Sequence, residues 1–291
     1  MQRSASTTEH FDERLYLEQN PDVREAVRVG RLLSGFEHYI LVGRRENRPG
    51  MPPDACAAAE QYIGHTAPPA SLRLRVHGDD VLLNFITFGQ VATGNILRSL
   101  PPDAGLDPDS RVLDFGCGCG RVISLLSKSL PGHIFGTDID KEAIGWCRHN
   151  LSHLATFSCN VAWPPLGYAD GHFDFIYSIS IFTHLPEDMQ TAWLQELGRV
   201  IKPGRYALIT VHGEELFPAE HLAKSEIDKF ADAGFYYHIG EATDGLPAFY
   251  RTTIHSERYI RTHWSKFFDI QRIIKRGVNN HQDIVVCRKR T

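Results

Sequence analysis

The segment Val112-Leu113-Asp114-Phe115-Gly116-Cys117-Gly118-Cys119-Gly120-Arg121 puts glycine at alternate positions between one apolar run and another that begins at Val122. A missing Cβ lets the backbone of Gly116 and Gly118 pass close to a ligand. The N–H groups at the start of the following helix favour an anionic group such as a carboxylate. A glycine loop alone is also how many tight turns are made. Here a second feature joins it: Asp138, in Gly136-Thr137-Asp138-Ile139-Asp140, follows the loop by about twenty residues, the spacing that sets a carboxylate at the next strand end to accept both ribose hydroxyls of an adenosine. Asp140 has the plainer task of capping a helix that starts at Lys141.

Candidate acid–base groups come from fifteen histidines. His184 follows the fourth expected strand and His212 ends the fifth, on the edge where open α/β sheets bind ligands. His255 precedes a helix expected over 256–264. Each has a structural or surface role as its alternative; two strand-end positions favour the set as catalytic candidates. Around them, Phe217, Phe235, Tyr236, Tyr237, Phe249 and Tyr250 alternate with Gly240, Gly245 and Pro247. These rings either line an acceptor pocket or make a small core under a long excursion. Cys117 and Cys119 share the glycine loop, but no second cysteine pair or His-x-x-x-His completes a tetrahedral set, so no metal is expected.

The elements that must position these residues alternate along the chain from Arg111 onward. Strands are expected at 111–115, 133–138, 155–160, 173–178 and 205–212, with helices over 120–130, 140–153 and 187–201. Residues 267–275 and 283–288 are apolar and β-branched, and Gly277-Val278-Asn279-Asn280 between them is turn chemistry, which predicts an antiparallel hairpin. A further helix spans about 79–100 and stops at Pro101-Pro102. Upstream, Asn20-Pro21-Asp22 reads as a helix start with Asn20 as cap, and Ser34 as the cap of a second short helix carrying Phe36, Tyr39 and Ile40.

Taken in order, the Val112–Arg121 segment, Gly136-Thr137-Asp138-Ile139-Asp140, residues 170–178, Phe182-Thr183-His184-Leu185-Pro186 and residues 197–204 resemble the class I S-adenosylmethionine (SAM) dependent methyltransferases. The resemblance covers about 79–288. It implies a Rossmann-like α/β sheet, parallel strands finished by a C-terminal antiparallel hairpin, with SAM as cofactor. It also implies that Gly116 and Gly118 approach the methionyl part, Asp138 holds the ribose and Ile139 packs on adenine. Asp114 and Cys117 in the loop, Asn160 after the third strand and Ser178 at the end of the fourth complete the expected cofactor set. The family's common Pro-Gly-Gly is Pro203-Gly204-Arg205 here, a change of shape rather than chemistry. A nicotinamide dehydrogenase would want glycine or alanine where Arg121 stands. Separately, Tyr16-Leu17, Asn20-Pro21-Asp22-Val23, His38-Tyr39, Gly43 and Glu46 resemble a small helical module of some bacterial surface and secreted proteins.

The division expected is a helical N-terminal extension at 1–50, a Pro- and Ala-rich connector at 51–78, and a SAM-binding domain at 79–291 with an aromatic cover at about 213–263. A net charge of −4 argues against a duplex nucleic-acid substrate. Polar residues 1–10 and the lack of a long apolar run argue against secretion and a membrane span, and six scattered cysteines read as reduced thiols of a cytoplasmic protein. The expected activity is methylation of oxygen or nitrogen on a small-molecule or glycan-type acceptor. Aminocarboxypropyl transfer, cyclisation and non-catalytic SAM binding remain as alternatives. Oligomeric state is not legible.

Overall fold

The computed structural model describes residues 13–32, 34–43, 46, 48–49, 63–64, 66–78, 80–238 and 247–291. Residues 51–62 and 65 of the expected connector, and Gly240 and Gly245 of the cover, lie outside the described residues. The chain divides into two units, Met1–Gly94 and Asn95–Thr291.

In the first unit, helices α1 (Glu13–Gln19), α2 (Pro21–Arg28) and α3 (Gly35–His38) lead into a π-helical turn at Tyr39–Gly43. Ser34 caps α3, its hydroxyl accepting the Glu37 N–H at 3.0 Å. Asn20 precedes α2 but does not cap it. Its side chain is buried, and its amide nitrogen donates instead to the carbonyls of Tyr16 at 2.8 Å and Pro49 at 3.0 Å. The residues that carry the module resemblance are thus its own framework. Tyr16, Val23, Phe36 and Tyr39 form its core, and the Tyr16 hydroxyl meets His38 Nδ1 at 3.0 Å. Two longer helices follow, α4 (Ala70–His77) and α5 (Leu82–Ser99), the latter stopping before Pro101 as expected.

The second unit is built on a seven-stranded sheet. Its strands are β1 (Arg111–Phe115), β2 (His133–Asp138), β3 (Thr156–Cys159), β4 (Phe173–Ser178), β5 (Ile201–Val211), β8 (Asp269–Val278) and β9 (Gln282–Arg288), in the order β3-β2-β1-β4-β5-β9-β8. The first five run parallel, and β9 joins β5 antiparallel before β8 closes the edge. All six residues of β4 are buried, as a central parallel strand covered on both faces requires. The chain leaves β1 in one direction for β2 and β3, then crosses to β4 on the other side. That reversal opens a crevice at the carboxyl ends of β1 and β4, the usual ligand position in such sheets.

Two elements differ from the sequence expectation. The helix expected at 120–130 is only one turn of α-helix, α6 (Ile123–Leu126). Gly120 sits in the left-handed region at φ 77°, which delays the helix start, and beyond it i→i+3 bonds from Lys128 and Ser129 tighten the chain into turns. Strand β5 starts earlier, at Ile201, with an irregular stretch before Tyr206 where its register against β4 shifts. The longer helices α7 (Lys141–Asn150) and α8 (Glu187–Val200) fall where expected. Trp193 of α8 packs on Phe115 with ring centres 4.6 Å apart, within a core that also takes Phe182, Trp264 and Phe268.

The excursion between β5 and β8 folds as α9 (Lys224–Ala233), the antiparallel pair β6 (Phe235–Tyr237) and β7 (Thr253–His255), and α10 (Glu257–His263). Its rings mostly pack on one another. Phe217 stacks on Phe230 at 4.1 Å and meets Tyr236 edge-on at 5.3 Å, while Phe235 packs on Tyr259 at 5.1 Å. This is the small core rather than the pocket lining; Tyr250, treated below, is the exception.

The β8–β9 turn carries two non-glycine residues at positive φ, Asn279 and Asn280, both at 52°. Asparagine tolerates this region and β-branched residues do not. Asn280→Val is expected to cost about 1–2 kcal/mol, read as a lower melting temperature, while Asn280→Gly leaves it unchanged or raised. A valine variant as stable as the parent would refute the turn assignment.

Candidate active site

The glycine loop bends over the end of β2. Both Gly116 and Cys117 donate their N–H to the Thr137 carbonyl, at 2.8 and 3.0 Å. Asp138, the last residue of β2, fastens the loop from the other side: its Oδ2 accepts the Gly118 N–H at 2.8 Å and its Oδ1 the Asp140 N–H at 2.9 Å. Burial raises the Asp138 pKa, and these N–H groups pull the other way. A carboxylate offers about four acceptor positions, so two backbone donors leave room for two hydroxyls. Asp140 caps α7, accepting from Glu142 and Ala143 N–H at 2.9 and 3.1 Å. The two aspartates therefore hold separate positions, one at the strand end and one at the helix start.

Asp114 lies at the heart of β1 beside Tyr177 of β4 and is 2% exposed. Burial pushes its carboxyl up to about 8, opposed by the neighbouring Tyr177 hydroxyl and the Arg121 charge. Arg121 is itself buried, and burial lowers its guanidinium to about 10. Its ionisable neighbours are Cys119, Asp114 and Tyr250. Sequence reasoning used Arg121 only to argue against another cofactor; the structure places it among the ionisable groups around the loop.

The remaining expected cofactor residues hold the frame. Cys117 is buried, with its N–H on Thr137 and its carbonyl accepting from Gly120 at 3.0 Å. Asn160 Oδ1 accepts the Thr137 hydroxyl at 2.8 Å, and its amide nitrogen donates to the Val161 carbonyl at 2.8 Å, tying β2 to the loop after β3. The Ser178 hydroxyl donates to the Phe115 carbonyl at 3.0 Å and pins β4 to β1. Ile139 stands half-buried at the turn beyond Asp138.

The three histidines separate. His255 is fully buried, and its Nε2 meets Gln190 Oε1 at 2.9 Å. The Gln190 amide nitrogen donates to the carbonyls of Phe182 and Leu185, so its oxygen must accept and His255 Nε2 must carry the proton. Burial pushes this imidazole down to about 3. Locked in the core, His255 does not reach the ligand edge, contrary to the expectation from its place in the cover. His184 and His212 do reach it, with ring centres 6.0 Å apart, and His281 of the hairpin lies 5.2 Å beyond His212. Burial lowers both His184 and His212 to about 4, helped by the neighbouring imidazoles His212 and His281 respectively. His184 Nδ1 meets the Arg251 carbonyl at 3.1 Å. A carbonyl can only accept, so Nδ1 is protonated and Nε2 carries the lone pair. His212 bonds the Thr253 backbone.

Residues that the sequence did not flag complete the edge. Ser180, just past β4, sits at φ 61°, and Ile181 fills the hollow over Gly116. A left-handed serine and a hairpin glutamine, Gln282, that reaches back to it leave no mark in a linear pattern. Among the described residues no group of three or more His, Cys, Asp or Glu side chains could hold a metal ion, and no helix is long and apolar enough to cross a membrane.

Gly116 is at φ 84°, and a Cβ on it would overlap the Ile181 side chain. Gly116→Ala is expected to lose about 1–2 kcal/mol from the backbone alone, plus the overlap, read by thermal denaturation. Adding Ile181→Ala should recover the overlap part only. A single variant with parental stability would contradict the close approach.

Residues 112–204 match the family model described as a methyltransferase domain. Over 121 residues the chain is 28% identical to the methyltransferase GfsG of Streptomyces halstedii, covering 40% of this chain and 41% of that protein. It is 31% identical over 101 residues to a 2-methyl-6-phytyl-1,4-hydroquinone methyltransferase of Synechocystis, covering 34% of this chain and 31% of that one. The match thus spans less than half the length of either relative. A solved SAM-dependent methyltransferase from Methanosarcina mazei shares the fold at a TM-score of 0.50 and 22% identity, over 66% of this chain and 98% of that one. The part of the chain that carries the glycine loop, Asp138 and His184 thus matches a methyltransferase domain, on a fold shared with a solved SAM-dependent methyltransferase.

Proposed function

We propose that this chain transfers a methyl group from SAM to a small-molecule or glycan-type acceptor, at oxygen or nitrogen. The observation that carries the reading is Asp138 at the end of β2, with two backbone donors on its carboxylate and acceptor positions to spare, beside a glycine loop it anchors; His184, past β4 with its Nδ1–H on the Arg251 carbonyl, keeps its lone pair at Nε2. The cradle fits an adenosyl amino acid: Gly116 and Gly118 present backbone without Cβ atoms, Asp138 takes the ribose hydroxyls and Ile139 covers the adenine. Asp114, costly to ionise where it is buried, is stabilised as a carboxylate by a ligand ammonium. Asn160, Ser178 and Cys117 act through the frame they hold.

SAM supplies an already activated methyl on a sulfonium, so the protein's work is alignment, worth up to about 7–11 kcal/mol in intramolecular analogues. Where the acceptor must lose a proton, His184 takes it at Nε2 while Nδ1–H stays on the Arg251 carbonyl. His212 stands behind it as the second candidate. The hydroquinone specificity in the name of the Synechocystis relative supports a small-molecule acceptor. Five described cysteines, all unbridged, support a reducing, cytoplasmic setting.

Product analysis tests the reaction. Methyl transfer yields S-adenosylhomocysteine, whereas propyl transfer or cyclisation yields methylthioadenosine. Asp138→Ala is expected to weaken SAM binding by about 1.5–3 kcal/mol in calorimetric titration, and to lower the melting temperature because Gly118 loses its anchor. Asp140→Ala should cost about 1 kcal/mol of stability with little effect on binding. A larger binding loss at Asp140 would reverse the assignment.

His184→Ala is expected to lower kcat by roughly 100-fold or more with SAM affinity nearly unchanged. The imidazole pKa lies below its usual value, so His184 is neutral at pH 7 and gains its proton only as pH falls toward about 4. In stable buffer conditions the acid limb of kcat should therefore lie near pH 4 to 5 rather than 6.5. A limb at 6.5, abolished in the His184 variant, would mean an exposed imidazole and a different ring environment.

A further inference from the structure

Tyr250 stacks on His184 with ring centres 4.1 Å apart and planes 24° from parallel. Its hydroxyl donates to the Ser180 carbonyl at 3.0 Å. Ser180 is one of four non-glycine residues at positive φ among those described, and the only one of them at the ligand edge of the parallel strands. Backbone held this way costs about 1–2 kcal/mol and persists only where neighbours enforce it. Three neighbours do so: Thr210 Oγ1 accepts the Ser180 N–H at 2.8 Å, Gln282 Nε2 donates to Ser180 Oγ at 2.8 Å, and Tyr250 holds the carbonyl. Elements from β5, the hairpin strand β9 and the cover thus converge on one strained serine, and through Tyr250 on the face of one imidazole.

We infer that Tyr250 is the positioning residue of the acceptor side, and that the Ser180–Thr210–Gln282 clamp exists to hold it against His184. This inference rests on the reading of His184 as the base. The ring of His184 has two ways to escape a working orientation: rotation about its Cβ–Cγ bond and exchange of the proton between its nitrogens. The Arg251 carbonyl opposes the second by binding Nδ1–H, and the Tyr250 face opposes the first. What is left is one polar atom, Nε2, in one place. Tyr250 also feels the charges of Asp138 and Arg121, so the same ring adjoins the cofactor side of the crevice. It belongs to the cover and yet touches the sheet edge, which gives the excursion between β5 and β8 a function besides packing.

Chemically, Tyr250 neither gives nor takes a proton in this scheme. Burial holds its phenol well above the usual range, and its hydrogen is engaged with the Ser180 carbonyl. A base in this role would need the opposite arrangement, a phenol with a cation against its oxygen. The groups that face His184 are the Tyr250 ring, the Arg251 carbonyl and the His212 imidazole, which burial keeps neutral at pH 7, with His281 behind it. Asp138 and Arg121 act on Tyr250 from the cofactor side.

The test is read first by nitrogen-15 NMR of the His184 imidazole in the full chain, which needs no substrate, and second by kinetics. The parent should show the Nδ1–H tautomer and a titration near pH 4. Tyr250→Ala removes the stack, and is expected to move that titration up toward 6.5 and to mix the tautomers. Tyr250→Phe keeps the stack but loses the anchor on Ser180, and should shift both signals less. In parallel, kcat should fall at least tenfold in Tyr250→Ala and by a smaller factor in Tyr250→Phe, with KM for SAM within twofold of the parent in both. An unchanged His184 tautomer and titration in a folded Tyr250→Ala protein would overturn the positioning role. If the NMR signals move as expected while kcat stays at the parental value, His184 is positioned but is not the base, and it is the functional reading that fails. If kcat falls with the NMR signals unchanged, Tyr250 acts directly on substrate and the inference is wrong.

Discussion

A single carboxylate organises the ligand edge. Asp138 holds Gly118 through one oxygen and Asp140 through the other, so the glycine loop, the end of β2 and the start of α7 are fixed to one another at a point. Remove that carboxylate and the loop loses its link to the second strand, apart from the two bonds to the Thr137 carbonyl. The group proposed to hold the ribose is therefore also the group that shapes the loop. Its burial raises the cost of its charge, and the two N–H donors offset that cost while leaving acceptor positions open.

A second theme is the use of neutral polar groups where ionised ones would be expected. The imidazoles of His184, His212 and His255 are all driven below their ordinary titration by burial, and Asp114 is driven above it. A buried charge is expensive unless paired, so groups left without a strong counter-charge stay neutral. At His184 this leaves a lone pair at neutral pH without any deprotonation step. At Asp114 it leaves a carboxyl that a neighbouring positive group would ionise. Burial thus shifts the imidazoles and the carboxyl in opposite directions by the same cause.

The cover both packs on itself and docks on the sheet edge. Most of its aromatic residues pack among themselves, and β7 is knitted to the sheet edge by the bonds Thr253 N–H to Thr183, Arg251 N–H to His184 and His255 N–H to His212. These three backbone bonds run beside the histidines. Strand β7 and the residues before it therefore bring the Arg251 carbonyl and the Tyr250 ring to His184, while His255, two residues past Thr253, is carried into the core onto Gln190. Which histidine faces the crevice follows from how this strand docks.

The sequence by itself determined the parts whose physics is local or periodic. Alternating glycines, a carboxylate about twenty residues on, and apolar runs punctuated by turns set the strands β1, β2 and β4, the caps at Ser34 and Asp140, the C-terminal hairpin and the Asp138 position. What only the tertiary structure decided depends on contacts between residues far apart in the chain. The sorting of His184 from His255 required Arg251, 67 residues from the first, and Gln190, 65 from the second. The strained Ser180 is held by Gln282, 102 residues away, and by Tyr250, 70 away. The Asn20 side chain abandoned its local capping role for the carbonyl of Pro49, 29 residues on. A side chain's tautomer, rotamer and exposure are set by whatever the fold brings against it, and a linear pattern contains no information on that distance scale.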